Sequence, residues 1–311
     1  MTTATLTHTP KAYTFPAILE AAERINWRVE DLIGGEKRLD FGRPFLPESL
    51  ARVERLSFLA PTEKRALNQI RGVGYLSMFG LVEEFILPFV LAHTERDIHG
   101  DSYQVRSFLE FAGEEAKHIH LFRRFREEFD AGFGTVCEQI GPAPAIAQEV
   151  LKHDPLAVAL VILQIEWMTQ RHYIDSVMED RGLDPQFKSL LKHHWMEEAQ
   201  HAKLDTIMVR DLAAGRSSVG LARAVDEYLE IGAFVDGGLQ QQVEMDVRSF
   251  ERATGRALTA DERAEFVKVQ LQALRWTYLG SGMTHGNFLG TLGELSPASR
   301  TRIEELAPSF S

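Results

Sequence analysis

The stretch that most constrains the fold is His194 to His201, which has the sequence His-Trp-Met-Glu-Glu-Ala-Gln-His. In a helix, His194, Glu198 and His201 lie on one face, at steps of four and three residues. Leu191 and Met208 share that face, so it is expected to point into a core. Two imidazoles and a carboxylate are costly to bury unless something pairs them. A metal ion is the economical partner, and other helices must then bring further ligands to it.

The rest of the chain is predicted to be helical, because no segment alternates with period two for long enough to form a strand. Four long helices are expected at about 62–94, 102–129, 155–180 and 185–214, and they form a metal-binding bundle over residues 62–215. Helices at 15–33 and 47–59 precede the bundle, and C-terminal helices at about 218–253, 260–280 and from 297 follow it, within 218–306. The predicted fold is all-α, a four-helix bundle with additional N- and C-terminal helices, in a single domain spanning 1–311.

Glu-x-x-His occurs twice, at Glu115/His118 and at Glu198/His201. With 30 Glu and 11 His in 311 residues, about one such match is expected by chance, so the motif alone is weak. Its placement is more specific, since each pair lies within a long helix, and each follows a helix with an inward Glu. The order Glu, Glu-x-x-His, Glu, Glu-x-x-His is the di-metal carboxylate pattern of a four-helix bundle.

The inward Glu of the third predicted helix is Glu166, whereas the first helix offers Glu83 and Glu84 side by side. At 100° per residue, Glu84 lies closer than Glu83 to the apolar stripe through Ile70, so the sequence favours Glu84 and leaves Glu83 open. Four carboxylates balance two divalent cations, and mixed oxygen and nitrogen ligands suit iron or manganese.

A second Glu precedes each motif, at Glu114 and Glu197. A carboxylate there can accept the other N–H of a ligating histidine across the bundle. We therefore predict the pairs Glu114 with His201 and Glu197 with His118. The alternative is that both are ordinary solvated helix charges.

These motifs resemble the ferritin-like di-iron carboxylate superfamily and, within it, the p-aminobenzoate N-oxygenase family. That family has an additional His one turn before the last Glu-x-x-His, and here His194 stands in that position. The resemblance covers roughly residues 62–215 and implies seven metal ligands: Glu84, Glu115, His118, Glu166, His194, Glu198 and His201. It also implies two iron ions, with manganese as the alternative in one or both positions, and O₂-dependent N-oxygenation of an arylamine.

The function expected from the sequence is therefore a non-haem di-iron oxygenase that uses O₂ and an external electron donor to oxidise a small organic substrate. Two alternatives stay open. One is an oxidase or hydroxylase of a fatty or other apolar substrate, and the other is a ferroxidase or iron-handling protein. About 60 residues precede the bundle and almost 100 follow it, which favours a covered substrate cavity over a storage shell.

Composition excludes several other classes. The net charge of −11 argues against a nucleic-acid partner. The longest apolar run, 80–92, contains Glu83, Glu84 and Pro88, so no membrane partner is expected. The single Cys137 and an N-terminus without the order of a signal peptide predict a cytoplasmic protein. A homodimer is compatible with these features.

Overall fold

The computed structural model describes residues 13–311, so the first twelve residues of the predicted 1–311 domain lie outside the described residues. Within that part of the chain the all-α prediction is confirmed. The only extended pairing there is one isolated bridge between Gly34 and Lys37. The helices are α1 Phe15–Ala22, α2 Glu48–Ala51, α3 Pro61–Arg96, α4 Ser102–Phe133, α5 Ala143–Leu151, α6 Pro155–His172, α7 Pro185–Ala213, α8 Ser218–Thr254, α9 Ala260–Arg275, α10 Ser281–Met283, α11 Gly286–Leu295 and α12 Pro297–Leu306.

Local sequence signals explain where three of the four bundle helices, α4, α6 and α7, begin. Asp101, Asp154 and Asp184 each accept backbone N–H bonds from the first turn of α4, α6 and α7. Such a cap satisfies donors that the helix itself cannot use. In α6 and α7 a proline follows the cap, where its missing N–H costs nothing. The predicted starts of these three helices are therefore correct to within one residue.

The bundle consists of two helix pairs. Helix α3 packs along α4, α6 packs along α7, and α4 also contacts α7. The N-terminal α1 lies against α4 and α7, while α8 crosses both α3 and α6. By length and composition α3 is apolar enough to cross a membrane, a criterion that a core helix also meets, and here it is a helix of the bundle.

Several predicted boundaries differ from the structure. The first helix ends at Ala22 rather than at residue 33, and only a single 3₁₀ turn, Val29–Asp31, follows before the loop. Helix α6 changes at Tyr173–Val177 into a π-helical turn, and α9 changes in the same way at Trp276–Gly280. Residues 281–296, to which the sequence assigned no helix, are mostly helical, since α10 continues from that second π turn and α11 follows it.

Candidate metal centre

A cluster of buried acids and imidazoles lies at the middle of the four-helix bundle. Helix α3 contributes Glu83, α4 contributes Glu115 and His118, α6 contributes Glu166, and α7 contributes His194, Glu198 and His201; each of these residues is at most 2% exposed. The bundle thus brings together from four helices all but one of the residues that the sequence singled out as ligands.

The donor atoms form two overlapping groups, each contained within 4.8 Å. The first group comprises Glu83, His118, His194 and Glu198; the second comprises Glu115, His118, Glu198 and His201. His118 and Glu198 belong to both, and Glu198 lies at the centre of the cluster. Its Oε1 is 2.6 Å from His194 Nε2 and 3.2 Å from His118 Nδ1, and its Oε2 is 3.1 Å from His201 Nδ1.

The expectation for α3 was wrong in one residue, because Glu83 and not Glu84 points into the cluster. Glu83 is 2% exposed, with Oε1 3.1 Å from His194 Nε2 and Oε2 3.4 Å from His118 Nδ1. The Glu84 side chain is 29% exposed and forms an ion pair of 2.8 Å with Arg123. Nearly every residue of α3 from Leu67 to Phe79 is buried, so this helix has no single apolar stripe from which to read its inward face.

His194, the seventh predicted ligand, lies in the cluster with its Nε2 facing Glu83 and Glu198. Two aromatic rings hold the imidazole edge-on, Phe79 at 5.3 Å and Phe122 at 5.1 Å between ring centroids. The ring of His118 is perpendicular to it at 4.7 Å. His194 is therefore fixed by packing as well as by its carboxylate neighbours.

Each Glu-x-x-His histidine has a second carboxylate behind it. His118 Nε2 is 2.8 Å from Glu197 Oε2, and His201 Nε2 is 2.8 Å from Glu114 Oε2. These are the two cross-bundle pairs expected from the sequence. With Nε2 engaged as a donor, Nδ1 of each ring faces the cluster, which is the orientation that a metal ligand requires.

Five inner atoms of the cluster have no hydrogen-bond partner among the described residues. Both oxygens of Glu115, Oε2 of Glu83, Oε2 of Glu166 and Nδ1 of His118 are buried without a hydrogen-bond partner among the described residues. His201 Nδ1 is 2.9 Å from Glu115 Oε1 but lacks the alignment of a hydrogen bond. Buried polar atoms are normally paired, so atoms that converge without pairing fit a cation between them. The donor set, four carboxylates and three imidazoles, matches two divalent ions of the iron or manganese type.

Electrostatic effects inside the cluster are correspondingly strong. Burial and the neighbouring Glu83 raise the pKa of Glu115 well above its usual value, and burial with Glu198 does the same to the pKa of Glu166. Burial alone would lower the pKa of His118, but Glu83 and the hydrogen bond to Glu197 raise it well above the usual value. Without metal, bound protons therefore neutralise part of the charge that two cations would otherwise balance.

The sequence did not identify three further residues around the cluster. Asp205 is fully buried one turn after His201, and neither of its carboxylate oxygens has a hydrogen-bond partner among the described residues. The indole of Trp27 stacks on the His118 ring at 6.1 Å and 9°, and Lys117 Nζ lies 4.0 Å above that indole while it also binds Glu197. An inward position four residues after His201 was the only signal available for Asp205. No local pattern indicated Trp27, which comes from the irregular segment after α1.

A largely apolar cavity of about 460 Å³ lies beside the cluster, between α3, α6 and α8. Phe79 forms part of its wall, and the same ring packs against His194. Val82 and Ile165, the chain neighbours of Glu83 and Glu166, also line it. The cavity and the cluster therefore share part of a wall, to which Phe79 belongs.

Comparisons with family models and with curated proteins give no match to this chain. Among solved structures, it is similar to variants of an R2-like ligand-binding oxidase. One, with an aerobically reconstituted Fe/Fe cofactor, aligns with a TM-score of 0.48 and 16% identity over 83% of this chain and 91% of that one. Another, with an anaerobically reconstituted Mn/Fe cofactor, has a TM-score of 0.46 and 15% identity over the same shares. At this similarity the residues of the present chain, and not the likeness, carry the functional conclusion.

Proposed function

We propose that the protein is an O₂-dependent di-metal oxidase or oxygenase that holds two iron ions, or iron and manganese, and oxidises a small organic substrate. The observation that carries the proposal is the convergence of Glu83, Glu115, Glu166 and Glu198 with three histidines in the buried core of the bundle. A structural role without metal would leave part of this buried carboxylate charge without a compensating cation, and an uncompensated buried charge costs several kcal/mol.

In this proposal Glu83 and His194 would hold one cation, and Glu115 and His201 would hold the other. His118 and Glu198 belong to both donor groups, and Glu166, buried beside Glu198, would be the seventh ligand. When bound, the metal pair would supply O₂ binding and electron transfer, for which side chains alone are unsuited.

The chain's own residues prepare the site. Glu197 and Glu114 orient the rings of His118 and His201 through Nε2, so that Nδ1 faces inward. Phe79 and Phe122 exclude water on the side of His194. Burial raises the pKa of Asp205, one turn after His201, well above its usual value. An external electron donor would act from the protein surface.

The apolar cavity favours an organic substrate over iron handling, because oxidation of iron alone needs no such space. N-oxygenation of an arylamine is the finer proposal that follows from the extra ligand His194. Hydroxylation or oxidation of an apolar substrate is the second candidate, and the wall of the cavity favours it, since none of the described residues that line it is charged.

The first test is an anaerobic Fe(II) titration of the full chain, followed by addition of O₂ and a chemical reductant. We expect about two ions per chain and O₂ uptake, with mass spectrometry under ¹⁸O₂ comparing arylamines with neutral apolar substrates. Glu198→Ala removes the carboxylate common to both donor groups and should abolish both metal binding and O₂ uptake. Asp211→Ala, on the exposed part of the same helix, is the matched control and should change neither.

Metal content near zero in the wild type would reject the metal centre. Two bound ions without O₂ uptake would reject the oxidase. Retention of ¹⁸O in the product would indicate an oxygenase, whereas its absence from an oxidised product would indicate an oxidase.

A further inference from the structure

None of the described residues that line the cavity beside the metal centre is charged. Its described lining consists of aliphatic, aromatic, glycine and methionine residues with three glutamines and two tyrosines. A charged group placed there would lose its hydration without gaining a partner, which costs several kcal/mol in a protein interior. The volume of about 460 Å³ lies within the range of small-molecule sites, roughly 300–1,000 Å³. The wall therefore selects for uncharged, mostly hydrocarbon molecules.

Two polar side chains in this wall have a group with no hydrogen-bond partner among the described residues: the amide nitrogen Nε2 of Gln139, and the hydroxyl of Tyr278. Tyr228 donates its hydroxyl to Gln164 Oε1, and Gln164 Nε2 donates to the carbonyl of Tyr278 at 3.2 Å. The hydroxyl of Tyr278 itself has no hydrogen-bond partner among the described residues, although the residue is only 7% exposed. Burial raises the pKa of Tyr278 well above its usual value, so its hydroxyl keeps the proton and can donate it in a hydrogen bond.

The position of Tyr278 relates it to the metal centre. It lies in the π-helical turn Trp276–Gly280, and such turns are often found at functional sites. Its ring centroid is 6.5 Å from that of Phe79, which in turn packs against His194. A molecule bonded to the Tyr278 hydroxyl would thus be held near the wall that the cavity shares with the cluster.

Helix α8 forms another part of the cavity wall, and three of its residues there are glycines without a side chain. Gly232, Gly237 and Gly238 all line the cavity within this 37-residue helix. Glycine inside a helix costs about 1 kcal/mol relative to alanine, so three of them make α8 less stable than it could be. A Cβ at Gly232 would have Met283 Cε, at 3.8 Å, as its nearest neighbour from another part of the chain, so a small side chain fits there.

We propose that this cavity binds an uncharged, largely hydrocarbon molecule whose hydrogen-bond acceptor, such as a carbonyl or amide oxygen, accepts from the Tyr278 hydroxyl. The inference deepens the proposed function by naming the class of substrate that the site would take. It depends on the proposed function only for the oxidation, because binding itself needs no metal.

The test compares decanamide, decanoate and decylamine, which have equal chain lengths and neutral, negative and positive head groups. Their binding to the full chain is measured by calorimetry, both without metal and after loading with Fe(II). We expect decanamide to bind at least tenfold more tightly than either charged probe. Tyr278→Phe should weaken decanamide about three- to tenfold, the usual effect of one hydrogen bond, and leave the charged probes unchanged.

Gly232→Leu and Gly232→Ala form the matched pair for the location of the site. Leucine fills part of the cavity and should weaken decanamide at least tenfold, while alanine should leave its affinity within about twofold and raise thermal stability. Both variants are checked for folding by circular dichroism, and Tyr278→Phe keeps the test valid should the leucine variant not fold.

Equal or tighter binding of decanoate, with or without metal, would overturn the proposal, as would unchanged decanamide affinity in Tyr278→Phe. Failure of the proposed function is distinguishable, since decanamide would then still bind to a chain that takes up no metal.

Discussion

Two single variants, Glu83→Gln and Glu84→Gln, compare adjacent acids of helix α3. The first removes the charge of a proposed metal ligand in the buried cluster, and the second removes a charge near the surface. Glutamine keeps the size of the side chain and removes only the charge. Glu83 is 2% exposed among the cluster atoms, whereas the Glu84 side chain is 29% exposed and paired with Arg123, itself 66% exposed. The two variants therefore differ in electrostatic environment and hardly at all in helix propensity.

The expected size of the effect follows from the spacing of the donors. At the 4.8 Å that bounds each donor group, two unit charges interact by about 3.5 kcal/mol at an effective dielectric constant of about 20. Loss of the Glu83 charge should then weaken the first metal position by roughly a hundredfold or more. Loss of the Glu84 charge removes an exposed ion pair worth about 0–1 kcal/mol and should leave metal affinity unchanged.

The assay is equilibrium dialysis against Fe(II) or Mn(II) with a competing chelator, and metal per chain is then measured by mass spectrometry. Circular dichroism during thermal unfolding of both metal-free variants checks that each is folded. Loss of metal in Glu84→Gln together with full occupancy in Glu83→Gln would refute the assignment. Equal loss in both would show that α3 reaches the cluster in a different rotation from the one described.

Three further outcomes can be checked. Metal binding at pH 7 should release two or more protons per chain, because ligands with raised pKa values such as His118 and His201 must lose protons to bind, and metal affinity should therefore rise with pH. An indicator dye measures the released protons, and the absence of release would contradict these pKa shifts. Cys137 is buried, and burial raises the pKa of its thiol to about 12. At pH 8 the native protein should therefore react with iodoacetamide far more slowly than the unfolded chain, and equal rates would contradict the burial of this thiol. Gly72→Ala should lower the free energy of unfolding by about 1–3 kcal/mol, since a Cβ there would lie 2.8 Å from Phe45 Cβ, whereas Gly80→Ala in the same helix should stabilise the protein. Calorimetric unfolding that shows the reverse order of stability would refute this packing.

Much of this fold follows from signals that act within a few residues. Asp101, Asp154 and Asp184 start their helices because a side-chain oxygen satisfies free N–H groups of the first turn, whatever the rest of the chain does. Glu115 with His118, and Glu198 with His201, share a helix face because of their three-residue spacing alone. The sequence could therefore indicate both the helices and the metal-binding motifs without knowledge of how the helices pack.

The sequence predicted the cross-bundle pairs less directly. Glu114 and Glu197 could be proposed as partners because the two motifs must face each other if they share a metal centre. The alternative, that both are solvated helix charges, is excluded only by the tertiary structure, in which Glu114 lies 2.8 Å from His201 and Glu197 lies 2.8 Å from His118. The resemblance to the p-aminobenzoate N-oxygenase family and the identity of the substrate stay predictions.

The sequence by itself determined the helical fold class, the order of the motifs and six of the seven proposed ligands, because these depend on periodicity and short-range hydrogen bonding. Only the tertiary structure decided between Glu83 and Glu84, placed Trp27 and Asp205 beside the cluster, and formed the cavity next to Phe79. The physical reason is that the rotation of a helix about its axis is set by everything packed around it. Where α3 is buried on several faces, its own sequence carries no record of that rotation.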